Sequence, residues 1–114
     1  MATLTPQVVE PKVGVIPTYT ACAAGGDEFV NNGRVSIHIR NAHGADPRTI
    51  TIDSQTGCNQ EASDHDIAVV ITAANDEKVI GPFPKARFDD AAGKVQITYS
   101  DAAADMTIAL MTIN

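Results

Sequence analysis

Hydrophobic and polar residues alternate most regularly in Val35-Ser36-Ile37-His38-Ile39-Arg40-Asn41, a stretch preceded by Asn32-Gly33. A period of two places Val35, Ile37 and Ile39 on one face of a strand and the polar side chains on the other. Asn-Gly tolerates the positive φ that a tight turn into such a strand needs. The same alternation returns at 48–53, where Ile50 and Ile52 share a face, and at 93–100, where it predicts burial of Val95, Ile97 and Tyr99. Residues 67–72 set Ile67, Val69 and Ile71 on one side, and residues 105–113 do so with Met106, Ile108 and Leu110. Shorter strands are predicted at 18–21, 28–30 and 78–82, with Gly25-Gly26, residues 73–76 and Pro82 as punctuation. One helical turn is expected around Ala86-Arg87-Phe88, with Phe88 closing an end of the core. The strands at 35–41 and 48–53 are expected to pair as a hairpin.

About eight short strands spaced ~8–12 residues apart, with no helix of useful length, form the pattern of an all-β sandwich or barrel. An antiparallel jelly-roll or Ig-like arrangement is therefore expected. A sheet with one apolar face must cover it, and a second sheet is the available cover.

Residues 1–17 read as an extended N-terminal arm, and 18–114 as a single β-sandwich domain. Pro6, Pro11 and Pro17 block helix and push their predecessors towards extended backbone. Val8, Val9, Val13, Val15 and Ile16 are too apolar for a freely solvated tail, which makes them the candidate protein-interaction residues. The arm is either an edge strand on its own domain or a segment lying on a neighbouring subunit. In both cases those side chains should be buried.

Composition narrows the function classes. With 114 residues the chain suits one domain, burying roughly 65% of its unfolded surface. Aromatics make up 4% and Trp is absent, so Phe29, Phe83, Phe88, Tyr19 and Tyr99 are the few large pieces available to the core. So few rings also argue against a sugar platform and against base stacking on single-stranded nucleic acid. A net charge of −6 opposes binding to a phosphate backbone, and the eight Lys and Arg are scattered. No nucleic-acid partner is expected. No apolar run approaches the ~20 residues of a membrane span, so no membrane partner is expected either. The start of the chain lacks the charged and apolar regions of a secretory signal, and the protein is expected to stay where it is made. Cys22 and Cys58 read as two reduced thiols, with a single disulfide left open.

The densest polar group is Ser63-Asp64-His65-Asp66, which His38, His43 and Asp53 could approach in three dimensions. Adjacent residues in extended backbone diverge, and the spacing matches neither a zinc signature nor a calcium loop. A solvated loop is expected there, with no metal. Cys58 and His65 carry no nucleophile signature, and Gly25-Gly26 is followed by no Lys-Ser/Thr and so is not a phosphate loop. Asp89-Asp90 ahead of Gly93 reads as a turn. No carboxylate pair is spaced for acid–base work. No cofactor is expected, and the chain is not expected to be an enzyme.

The stretches Gly25-Gly26-Asp27-Glu28-Phe29-Val30-Asn31-Asn32-Gly33-Arg34, Thr49-Ile50-Thr51-Ile52-Asp53-Ser54-Gln55, Gly81-Pro82-Phe83-Pro84 and Gly93-Lys94-Val95-Gln96-Ile97-Thr98-Tyr99-Ser100 carry a resemblance. Over nearly its whole length the chain resembles small all-β virion structural proteins of tailed bacteriophages and prophages. The resemblance implies a head decoration (cement) protein, made in the host cytoplasm and bound to the capsid exterior. Its implied partner is the major capsid protein, whose subunits it would bridge, and its implied state is a homo-oligomer with a trimer favoured. A tail, connector or head-fibre component is the alternative within the virion. A stand-alone ligand- or sugar-binding β-module is the alternative outside it. Removing residues 2–15 is expected to leave the domain folded and abolish particle binding.

Overall fold

Each of the alternating stretches becomes a strand with its aliphatic row turned inward. The computed structural model describes residues 2–9, 14, 16–42, 46–55, 66–72, 76–100 and 106–113. In chain order these form β1 (Ala2–Leu4), β2 (Gln7–Val8), β3 (Thr20–Ala21), β4 (Asp27–Val30) and β5 (Val35–Asn41). Then come β6 (Arg48–Ile52), β7 (Ile67–Ile71), β8 (Asp76–Ile80), the single helical turn α1 (Lys85–Phe88), β9 (Lys94–Tyr99) and β10 (Met106–Thr112). One sheet has the order β1-β4-β9-β6-β7. The other runs β2-β10-β5-β8, with β3 also on β10. The molecule is an all-β sandwich.

The core lies between the sheets. Val35, Ile37 and Ile39 of β5 and Ile108 and Leu110 of β10 face Phe29, Ile50, Ile52, Val95 and Ile97 of the opposite sheet, all of them buried. Each fully buried aliphatic contributes about 1.5–3 kcal/mol. Phe29, Phe83 and Phe88 form a chain of rings at one end, with centroids 6.1 and 5.4 Å apart. The turn of helix expected around Phe88 is there, and it seats that ring. Tyr99 and Tyr19 are only partly buried, and the Arg40 guanidinium lies over the Tyr19 ring, 5.1 Å from its centre.

The turn into β5 follows its sequence. Gly33 has φ +82°, Asn31 Oδ1 accepts the Gly33 N–H, and Asn32 Oδ1 accepts the Arg34 N–H, each at 2.8 Å. These are the local side-chain bonds that make Asn a turn residue.

Two expectations need correction. β5 and β6 are not hairpin partners, because β5 lies between β10 and β8 while β6 lies between β7 and β9. Both strands carry an inward aliphatic row, and two such rows can meet across a core as well as lie side by side. The buried Asn41 amide fixes the crossing: it donates to the carbonyls of Asp46 at 3.0 Å and Ile71 at 3.1 Å, tying the end of β5 to the other sheet. The second correction concerns strand direction. Pairing is antiparallel except at the N-terminal segment, where β1–β4 and β2–β10 are parallel.

Candidate interaction site at the N-terminal segment

Residues 2–8 cross from one sheet to the other. β1 lies along β4, with Thr3 opposite Glu28, and β2 lies along β10, with Val8 opposite Thr112. Side chains reinforce both attachments. Thr3 Oγ1 donates to Glu28 Oε2 at 3.0 Å, and the same carboxylate accepts from Lys94 Nζ at 2.8 Å and Gln96 Nε2 at 3.2 Å. These donors, Lys94 first, hold the Glu28 carboxyl below its ordinary range. Gln7 acts as a short stand-in for a strand: its amide donates to the Thr18 carbonyl at 3.0 Å and accepts the Thr18 N–H at 2.9 Å.

Between these attachments β10 has a divided edge. β3 covers it opposite Thr107 and Ile108, and β2 covers it opposite Met111 and Thr112. A cavity of about 360 Å³ opens beside the interval, walled by Thr3, Leu4, Thr5 and Gln7 on one side and Thr18, Thr20 and residues 108–110 on the other. Its lining is neutral: hydroxyls and one amide around aliphatic carbon. No group there can act as a base or a nucleophile at neutral pH.

The five candidate interaction residues are not treated alike. Val8 and Val9 are 37% and 38% exposed, and Ile16 is 89% exposed. Of the two alternatives, burial on the chain's own domain does not hold for these three residues, most clearly at Ile16. Strand pairing holds the backbone at residues 7–8 without covering the side chains, since pairing uses N–H and C=O rather than apolar area. Val13 and Val15 lie outside the described residues.

Asp66 Oδ1 accepts the Ser54 N–H at 2.7 Å, which makes it a loop tie. Burial, and then the Asp66 charge, push the Asp53 carboxyl up. His43, Asp64, His65 and Cys58 lie outside the described residues. No group of His, Cys, Asp and Glu suited to a metal occurs among the described residues. Cys22 is a free, buried thiol. Burial pushes it up to about 12, so it is not an activated nucleophile. Sequence reasoning missed Asp27, which directly follows the Gly25-Gly26 turn; it is wholly buried, and its Oδ2 accepts the Ala23 N–H at 3.2 Å. It also missed Gln7 and Thr18, whose pairing has no sequence signal because the two residues meet only through the fold.

Comparison with known proteins gives no match to any protein-family model, any curated protein or any solved structure.

Proposed function

We propose that this chain is a structural protein of a tailed-phage virion, of the head-decoration type. It would bind the outside of the capsid through its N-terminal segment and bridge major capsid subunits. The observation that carries the reading is Ile16, 89% exposed in a segment whose beginning is tied to both sheets. Covering such a side chain with another protein is favourable by about 1.5–3 kcal/mol. The attachments of β1 and β2 would present it at a defined place on the domain. A net charge of −6 suits a capsid exterior better than a DNA-filled interior.

Heads purified without the protein provide the test. Wild-type chain should bind them saturably, and Ile16→Asp should weaken binding roughly ten- to a hundredfold while melting as the wild type does. Equal binding by both proteins would remove Ile16 from the interface. Wild-type binding to tails or connectors but not to heads would overturn the decoration role. Removal of residues 2–15 is the poorer experiment, because it strips β1 and β2 from the sheets and takes Leu4 away from the core.

A further inference from the structure

Asn32-Gly33, the one Asn-Gly step in the chain, carries a covalent chemistry of its own. The Gly33 nitrogen can attack Cγ of the Asn32 side chain. A bond from that nitrogen to Cγ forms, the bond from Cγ to Nδ2 breaks, and ammonia leaves with the Gly33 proton. Water then opens the cyclic imide at Cγ to give aspartate, or at the main-chain carbonyl of residue 32 to give an isoaspartyl link. Glycine favours the closure because it has no Cβ to crowd the ring. Asn32 is exposed, so water reaches it, yet every group that must move is held. The Gly33 N–H donates to Asn31 Oδ1 at 2.8 Å, which hinders the loss of its proton. Asn32 Oδ1 accepts the Arg34 N–H and Asn32 Nδ2 donates to Thr112 Oγ1, each at 2.8 Å. A side chain held at both ends is not free to swing into the alignment that attack requires. Asn31 is itself buried, with its amide donating to the Phe83 carbonyl and to Asp89 Oδ1.

We propose that Asn32 is a deamidation site latched by the fold, closed while the turn is bonded to Asn31 and Thr112 and open when the end of β10 frays. The inference goes beyond the decoration role and stands without it. Thr112 is the last residue of β10 and lies opposite Val35, the first of β5, so the bond from Asn32 spans from the turn to a strand end. Strand ends open more readily than strand centres, and each opening there frees the Asn32 amide. The two products differ in consequence. The aspartyl product keeps an oxygen for the Arg34 N–H and another to accept the Thr112 hydroxyl, so the turn survives. The isoaspartyl product routes the main chain through Cβ and Cγ of residue 32 and lengthens it by a carbon. That displaces Gly33 from Asn31 Oδ1 and shifts the entry into β5. An isoaspartyl link at residue 32 is therefore a permanent mark on molecules that have opened.

The test is to hold the full chain in mildly alkaline buffer, folded in one arm and unfolded in urea in the other, and to follow Asn32 by peptide mass spectrometry. Conversion should be slower in the folded chain by about tenfold or more, the combined effect of the bonds that must break. Thr112→Val should speed conversion in the folded chain roughly two- to tenfold and leave the unfolded rate unchanged. Tyr99→Phe, which removes a hydrogen bond to Asp27 away from this turn, should convert at the wild-type rate. The refolded isoaspartyl form should melt below Asn32→Asp. Equal rates in the folded and unfolded wild type would overturn the latch, and that comparison holds even if Thr112→Val fails to fold. A folded Thr112→Val that converts no faster would remove Thr112 from it. Equal acceleration by Tyr99→Phe would replace a local latch with global unfolding, and an isoaspartyl form melting with Asn32→Asp would overturn the stated consequence.

Discussion

The Tyr99 hydroxyl donates a hydrogen bond of 2.6 Å to Oδ2 of Asp27, a carboxylate with no exposed surface. The other oxygen, Oδ1, has no hydrogen-bond partner among the described residues. The phenol is thus one of two donors holding a buried acid, the Ala23 N–H being the other. Removing a donor so that a buried acceptor is left unsatisfied costs about 1–3 kcal/mol. Tyr99→Phe should lower the unfolding free energy by that amount, read from urea denaturation at neutral pH. A loss below 0.5 kcal/mol, on the order of an exposed substitution, would show the bond to be dispensable.

The same cluster should make stability fall at alkaline pH. Burial, the largest cause, pushes Cys22 from its ordinary 9.0 up to about 12, and burial likewise pushes the Tyr99 hydroxyl upward. In both groups the folded state holds its proton more tightly than the unfolded state does. The Cys22 contribution is complete below pH 9 and is lost as pH rises from 9 towards 12, while that of Tyr99 begins to be lost only above its ordinary 10.0. Urea midpoints should fall across that window. In Cys22→Ala the fall should be shallower, and an unchanged slope would exclude the thiol as its source.

Gly26 has φ +94°, and a Cβ there would stand 2.5 Å from the Ile97 carbonyl oxygen. Gly26→Ala meets both backbone strain and a rigid obstacle, and should cost more than about 1 kcal/mol. Gly93 has φ +77° with nothing within 4 Å of a Cβ. Gly93→Ala should therefore cost about 1 kcal/mol from conformation alone. Thermal melts of the pair should rank Gly26→Ala below Gly93→Ala.

Asn41 should be intolerant of an apolar isostere. Asn41→Leu keeps the volume but leaves the Asp46 and Ile71 carbonyls without that donor, at about 1–3 kcal/mol. Hydrogen exchange should show the opening confined to the ends of β5 and β7. A loss spread evenly over both sheets would contradict a local tie.

Ile37→Asp should not fold at all, since it sets an unpaired charge in the middle of the core, where Ile37 has no exposed surface. Ile37→Ala, by contrast, should melt cooperatively with a loss of about 2–5 kcal/mol. A soluble, cooperatively melting Ile37→Asp protein would place the inward face of β5 wrongly.

What the sequence made legible was local. The alternation at 35–41, 48–52 and 94–99 identifies strands and their inward faces because side-chain direction depends only on the backbone period. Partner choice is not local. The inward rows of Ile37 and Ile50 fit a hairpin as well as two facing sheets, and the fold took the second arrangement. β10 shows another limit: Ala109 and Met111 on its second face are buried as well, so its near-continuous apolar run reflects cover on both sides. At the candidate site, the composition of residues 8–16 singled out an apolar segment, but not that Val8 would be held by its backbone with its side chain partly free. The edge at β7 was visible as a strand; its being an edge was not.

The second sheet is organised on β10, which receives β2 and β3 along one side and β5 along the other. That strand is the last of the sheet to be translated. β5 and β8 can pair with each other before it is made, but β2 and β3 have no partner in this sheet until residues 106–112 are present. The join between the N-terminal strands and the β5–β8 pair therefore depends on the strand made after all of them.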